Sequence, residues 1–314
     1  MEKSIVILGS INYDIVTGVD RLPQKGETVH GYAFDMFTGG KGANQAVQIS
    51  LLGMKSVFIG QVGGDVQGQN VLAGIKAKGV DTAFLKVSPE ERTGCALITV
   101  ASDGSNTLVH APGANHRIPK ELIDAAAPII KKADLLITQN EINPDAVQYG
   151  LRLAHEAGVK TLLNPAPAVP VPEELFALLD YIAPNEPESE FYTGILREGR
   201  SAEQWRRGNA EWFLKRGVKN VCITLGAQGS YFTDGTEEVY LPAFPIKPVD
   251  TTAAGDSFIG GFSFGLIQGW PVKRSMNFAN ACGSVSVMTK GAQNSIQGYE
   301  RITAFLREQG ALDQ

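Results

Sequence analysis

Between residues 122 and 225 the chain alternates between two patterns, and this alternation limits the possible folds more than any other feature. Apolar periodicity near 3.6 predicts helices over residues 122–132, 144–158, 173–179 and 202–216. Each precedes a short apolar run, at residues 135–138, 161–164, 181–183 and 221–225. Strands apolar on both faces must be covered on both faces, and the intervening helices can do this. The pattern therefore predicts an α/β three-layer sandwich: a mostly parallel central sheet, helices on both sides and right-handed crossovers. Ligands of such sheets gather at the carboxyl ends of the strands. Polar residues fall at those ends: Asn140 and Glu141, Asn164, Asn185 and Glu188, then Thr224 and Gly226.

The N-terminal part adds a strand over residues 5–8 that stops at Gly9. Asn12 and Asp14 follow. In an extended chain they share a face, and an amide beside a carboxylate suits paired hydroxyls; an Asx-rich turn is the plainer alternative. The stretch Thr38-Gly-Gly-Lys-Gly-Ala-Asn-Gln-Ala46 reads as a glycine loop opening a helix. It lacks the Gly-x-x-x-x-Gly-Lys-Ser/Thr spacing of a P-loop, and it suits either a ligand loop or a simple turn. A strand over residues 56–59 and a helix ending near Gly79 come next. Two β-rich runs around Asp103-Gly104 predict a hairpin. Segments near residues 12–38 and 92–112 are expected to form a small β-sheet lid on a single domain spanning residues 1–314.

The chemistry is expected in Asp250-Thr-Thr-Ala-Ala-Gly-Asp-Ser-Phe258. A strand over residues 239–244 precedes it, and an apolar helix over residues 258–267 follows. A loop of small residues entering a helix leaves backbone N–H groups pointing outward, which together with the helix dipole suits an anion. Asp256 beside such a site is either an N-cap or a group that takes a proton from an attacking hydroxyl. Beyond it, a small-residue helix over residues 275–288, a turn at Lys290–Ser295 and a last helix over residues 299–308 complete the chain.

Composition excludes several classes. The 314 residues carry a net charge of -5 and no basic run, which argues against nucleic acid as a partner. No apolar run reaches the ~20 residues of a membrane span, and the first eight residues are too short and acidic for a signal peptide. Cys95, Cys222 and Cys282 are odd in number and far apart, as expected of reduced thiols in a cytoplasmic protein. The four histidines lack metal-ligand spacing. Gly261-Phe-Ser-Phe-Gly265 fits the nucleophile elbow of hydrolases, but no His follows His155, so a Ser–Asp–His order is impossible.

Taken together, these stretches resemble the ribokinase (PfkB) family of carbohydrate kinases from Gly9 to Ser295. Gly39-Gly-Lys-Gly-Ala-Asn44 looks like its sugar-binding signature, Asp250-Thr-Thr-Ala-Ala-Gly-Asp256 like its catalytic signature, and Asn185-Glu-Pro-Glu188 like its Asn-x-x-Glu motif. Gly26-Glu-Thr-Val29, Gly113-Ala-Asn115 and Asn164-Pro-Ala-Pro-Ala168 look most like the members that act on ribose. The resemblance implies ATP-dependent transfer of the γ-phosphate to a primary hydroxyl of a pentose, D-ribose first, with Asp256 as base and the amides of Ala253, Ala254 and Gly255 as anion hole. It assigns Asn12, Asp14, Gly39, Gly40, Lys41, Gly42, Asn44 and Glu141 to the sugar. It assigns Asn185, Thr224, Leu225, Gly226, Ala227, Gln228, Gly229, Gly255 and Asn280 to ATP. Glu188 falls to Mg²⁺ through water; Asp250, Thr252, Ser286, Thr289, Gly291 and Ser295 fall to a monovalent cation such as K⁺. A homodimer through the lid is implied as well. Tyr13, Gly64, Ile259 and Asn280 depart from the usual pattern. Fructose, tagatose, 2-keto-3-deoxygluconate or a nucleoside (adenosine, inosine) therefore remain alternative substrates, and a non-catalytic sugar-binding regulator is a further reading.

Overall fold

The apolar strands associate as their pattern requires. The computed structural model describes residues 2–312; residues 1, 313 and 314 of the expected domain span lie outside the described residues. The strands are β1 (Ser4–Leu8), β2 (Asn12–Val19), β3 (Gly31–Gly39), β4 (Lys55–Gly63), β5 (Asp81–Ser88), β6 (Gly94–Ala101), β7 (Asn106–Ala111), β8 (Leu135–Gln139), β9 (Lys160–Asn164), β10 (Tyr181–Ile182), β11 (Asn220–Thr224), β12 (Ser230–Thr233) and β13 (Glu238–Leu241). The helices are α1 (Lys41–Leu51), α2 (Val66–Ala77), α3 (Lys120–Ile130), α4 (Pro144–Glu156), α5 (Glu186–Thr193), α6 (Ala202–Leu214), α7 (Ala254–Gln268), α8 (Val272–Ser286) and α9 (Tyr299–Glu308).

Nine strands form one sheet in the order β13-β12-β11-β10-β9-β8-β1-β4-β5. The pairs from β5 across to β11 are parallel, and β12 and β13 extend the sheet antiparallel. Strand alternation splits β1 between the two cores. Ile5 and Ile7 pack with α1, α7, α8 and α9, while Val6 and Leu8 pack with α3, α4 and α6. This is the expected three-layer sandwich.

A second sheet, β3-β2-β6-β7, has four strands. It arises where the chain leaves β1 at Gly9, and it contains the hairpin predicted around Asp103-Gly104. β2 pairs antiparallel with β3 and parallel with β6. Asn12 and Asp14 face one side, and Tyr13, Ile15 and Thr17 face the other. The first side leans on the body: Asp35 and Lys290 pair at 2.6 Å.

Several boundaries differ from expectation. The strand expected over residues 239–244 ends at Leu241, because Pro242, Pro245 and Pro248 offer no N–H to a ladder. Twelve irregular residues then lead to α7, which begins before Phe258 rather than at it. Residues 173–178 are a 3-10 helix, and β10 has only two residues. Ser263 of the elbow-like motif is fully buried within α7. Its flanking glycines serve helix packing: a methyl on Gly261 would lie 2.6 Å from Cys282 Sγ, and one on Gly265 2.7 Å from Ser275 Oγ.

Candidate active site

The strand ends and the two small-residue loops converge on one acid. Asp256 is not the N-cap of α7. Ala253 holds that position at φ 62°, the one non-glycine with positive φ among the described residues. A left-handed alanine costs on the order of 1–2 kcal/mol, and such strain collects at functional sites. The Ala254 amide turns back to the Thr251 carbonyl at 3.3 Å. The Gly255 and Asp256 amides have no partner among the described residues. Of the three amides expected to form an anion hole, that of Ala254 is thus already engaged.

Asp256 itself is buried in the first turn of α7. Its Oδ2 accepts from Asn44 Nδ2 at 2.8 Å and its Oδ1 from Gln45 Nε2 at 3.2 Å. Burial pushes its pKa above the ordinary carboxylate value. Lys41, Asn44 and Gln45 oppose that push, and Glu141 adds to it. The carboxylate therefore sits above its reference pKa, because the group is desolvated.

The glycine loop supplies the opposite wall. A methyl on Gly39 would lie 2.0 Å from Asp14 Oδ2, and Gly40, at φ 89°, packs its Cα against the backbone of Ile11 and Asn12. A side chain at Gly39 would displace the Asp14 carboxylate, and one at Gly40 would meet backbone in a conformation that favours glycine. Beyond them Lys41 and Gly42 open α1, and a methyl on Gly42 would meet Gly9 Cα at 2.8 Å. Glu141 after β8 closes the loop: its Oε2 accepts from Ser10 Oγ at 2.6 Å and from the Lys41 amide at 3.1 Å, and its Oε1 lies 3.8 Å from Lys41 Nζ. Burial alone would lower the Lys41 ammonium. Glu141, Asp256, Glu188 and Asp14 outweigh it and hold the lysine above its ordinary value.

Asp14 is also buried, with Oδ1 unpartnered. Burial and Glu141 raise its pKa to about 7, against the pull of Lys41. Asn12 is less free than its place beside Asp14 suggests. Its Oδ1 accepts from Asn115 Nδ2 at 2.8 Å, and its Nδ2 lies 3.3 Å from His110 Nε2. Tyr13, a departure from the family pattern, points to the other side of β2, where its hydroxyl meets Met36 Sδ at 3.3 Å. Ile259 is buried in the apolar core.

The residues expected to meet the nucleotide lie at the start of α5, at the end of β11 and on α8. Asn185 and Glu188 form a capping box on α5: Asn185 Oδ1 accepts from the Glu188 amide and Glu188 Oε2 from the Asn185 amide, both at 2.8 Å. The Asn-x-x-Glu spacing is thus at least a helix start. Burial raises Glu188 above its ordinary value despite that bond. Thr224 ends β11, and residues 226–228 form a 3-10 turn in which Leu225 N donates to Gly229 O at 2.8 Å. Ala227 and Gln228 are exposed on that turn. Asn280, on α8, reaches the Pro242 carbonyl at 3.4 Å.

Of the residues expected to hold a monovalent cation, Thr252 and Gly291 meet the Asp250 carboxylate. Asp250 Oδ1 accepts from the Thr252 amide and hydroxyl at 2.9 and 2.7 Å, and Oδ2 accepts from the Gly291 amide at 2.9 Å. The Ser286 and Ser295 hydroxyls donate to carbonyls of their own turns, and the Thr289 amide reaches the Ser286 carbonyl at 3.4 Å. No cluster of three or more His, Cys, Asp or Glu able to hold a metal occurs among the described residues.

Sequence reasoning missed Ser10, His110, Gln45 and Gln139. Gln45 lay in plain view beside Asn44, but on a helix of unknown orientation nothing distinguished it from a surface residue. Gln139 is the last residue of an apolar strand and carried no signal.

The chain matches the model of the pfkB family carbohydrate kinases over residues 2–298. It is 39% identical to the ribokinase of Staphylococcus aureus (strain COL), over 96% of this chain and 99% of that one. It is 33% identical to the deoxyribokinase of Salmonella typhimurium, over 96% and 98%. The solved structure of Arabidopsis thaliana ribokinase complexed with ribose and ATP superposes with a TM-score of 0.91 at 31% identity, over 98% and 99%. Fold, site and relatives define an ATP-dependent sugar kinase. The chain belongs to the pfkB family of carbohydrate kinases.

Proposed function

We propose that the protein transfers the γ-phosphate of ATP to the primary hydroxyl of D-ribose, giving ribose 5-phosphate. One observation carries this reading: the two hydrogen bonds from Asn44 and Gln45 to Asp256, which tie the glycine-loop wall to the first turn of α7. A sugar held by Asp14, Asn44, Glu141 and the loop amides would present its terminal hydroxyl to Asp256. Phosphoryl transfer then asks mainly for positioning and charge stabilisation. Asp256 would orient the hydroxyl and accept its proton, and the amides of Gly255 and Asp256 would receive oxygens of the transferred group.

Asp14, Glu141, Glu188 and Asp256 face a single ammonium, Lys41. A polyphosphate entering that field needs added positive charge. This fits Mg²⁺ arriving with ATP and held through water near Glu188, since Mg²⁺ keeps several waters and binds through one or two carboxylates and substrate phosphates. The segments around Asp250, Val287 and Gly291 are hydrogen-bonded together, which fits a K⁺ site built largely of backbone carbonyls. Three free cysteines and the absence, among the described residues, of any helix able to cross a membrane fit a cytoplasmic setting. The four-stranded sheet would act as the lid of the single domain, excluding water from the transfer.

The test is ADP release on a panel of ribose, 2-deoxyribose, fructose, tagatose, 2-keto-3-deoxygluconate, adenosine and inosine, with and without K⁺. The highest kcat/KM is expected for ribose, with stimulation by K⁺. Preference for 2-deoxyribose would reassign the substrate, and no sugar-dependent release would leave only a binding role.

The far side of the lid is apolar and exposed: Phe34 62%, Met36 52%, Leu97 49% and Val109 62%. Such a patch calls for a cover. We expect a second copy to cover it, lid against lid, and the protein to sediment as a dimer. The double variant Phe34→Glu, Leu97→Glu is expected to sediment as a monomer; a monomeric parent protein would refute the pairing.

A further inference from the structure

We propose that Gln45, oriented by Gln139, is a positioning residue that fixes the rotation of the Asp256 carboxylate. The proposal rests on the reading of Asp256 as the base and extends it to residues that do not meet the sugar. Gln139 Nε2 donates to Gln45 Oε1 at 2.7 Å. Gln45 Nε2 then donates to both Asp256 Oδ1, at 3.2 Å, and Asn164 Oδ1, at 3.1 Å. Asn164 Nδ2 donates to the Ala183 carbonyl at 3.0 Å. Gln45 and Gln139 are fully buried and Asn164 nearly so.

This chain has one direction only. The Ala183 carbonyl can accept but not donate, so Asn164 must turn its NH₂ toward it and its oxygen toward Gln45. Gln45 must then present NH₂ to Asn164 and its oxygen to Gln139, and Gln139 must present NH₂ in turn. The two protons of the Gln45 amide are therefore aimed at Asn164 and Asp256 together. Reversed, Gln45 would set an oxygen against the carboxylate. With Asn44 on the other oxygen, each carboxylate oxygen has one fixed donor and the group cannot rotate. A fixed rotation leaves the remaining lone pairs in one direction, where a hydroxyl proton can be taken.

Packing does not explain the arrangement. Buried amides are costly unless fully paired, and apolar side chains would fill this core at lower cost. Instead α1, β8 and β9 each contribute one amide to the chain, and the backbone is kept bare to admit it: a methyl on Gly9 would lie 2.3 Å from Gln139 Oε1.

The test uses the full-length protein with ribose and ATP. Gln45→Met keeps length and volume but removes the donor. It is expected to lower kcat roughly 10- to 100-fold, the scale of a small misplacement, with both KM values within about threefold. Gln139→Met is expected to lower kcat in the same sense and, in the Gln45→Met background, to add nothing, because it acts only through Gln45. A packing role would instead give losses that add. Should Gln45→Met fail to fold, Gln139→Met alone carries the test through the same split of kcat from KM. Wild-type kcat in Gln45→Met, or full additivity with Gln139→Met, overturns the proposal. Asp256→Asn, run in parallel, separates the two ideas. If it cuts turnover while Gln45→Met keeps the wild-type kcat, only the positioning role falls. If it leaves turnover normal, the base assignment falls.

Discussion

Asp256→Asn is expected to keep the fold and sugar binding and to cut kcat by roughly 10²–10⁴-fold, the usual worth of a general base. The substitution is nearly isosteric, and an amide oxygen still accepts from one of the two donors that hold the acid, Asn44 or Gln45. What disappears is the ability to take the proton of the attacking hydroxyl. Burial raises the affinity of Asp256 for a proton, and that makes it a better acceptor than an exposed carboxylate. The measurement is steady-state turnover beside calorimetric titration with sugar. Turnover within a few-fold of the parent would remove Asp256 from the role. Loss of sugar binding in step with turnover would make it a binding group instead. Stability should not fall, because the variant no longer buries a charge against Glu141.

The layered architecture was legible because strands buried on both faces are apolar throughout and the helices between them are not. The polar residues at the ends of β8, β9, β10 and β11 were legible for the same reason: a sheet of this kind leaves only those ends open. The small second sheet was readable from alternation and from Asp103-Gly104, and alternation also predicts that Asn12 and Asp14 share a face. Sequence could not give the partners of each side chain. Asn12 beside Asp14 suggested a pair of sugar ligands, yet Asn12 is held by Asn115, about a hundred positions away, and no local pattern encodes that distance. Asp256 as an N-cap was a fair reading of a loop whose true cap, Ala253, adopts a conformation alanine rarely does. The Asn185–Glu188 spacing has two meanings, helix cap and phosphate motif, and residue types alone do not choose between them. Tyr13 departs from the family pattern, and only the strand shows that its side chain meets Met36 on the face opposite Asp14.

Asp14 gives the second large effect, and here function and stability are expected to oppose each other. The carboxyl moves from an ordinary 3.8 to about 7 in the folded chain, through burial first and Glu141 second. A raised folded pKa means that the native state holds a proton the unfolded chain releases. The group's contribution to stability is therefore intact below the unfolded value and is lost as pH climbs to about 7. Asp14→Asn, which never ionises, should melt higher than the parent, by a margin that grows between about pH 4 and about pH 7 and is constant above that. Sugar binding should move the other way. The ionised form is the stronger acceptor for hydroxyls, so the parent's sugar KM is expected to fall as pH rises through about 7, and bound sugar should ease ionisation. Asp14→Ala removes one or two charge-assisted hydrogen bonds of about 1.5–3 kcal/mol each, so the sugar KM should rise roughly 100-fold. The ATP KM should stay within about twofold, because the residue lies on the lid side of the acid and not on the nucleotide side. Equal rises in both KM values would mean that Asp14 merely shapes the loop beneath Gly39. A melting difference that does not change with pH would mean that Asp14 is already ionised in the unliganded protein, and the pH dependence expected of sugar binding would then vanish with it.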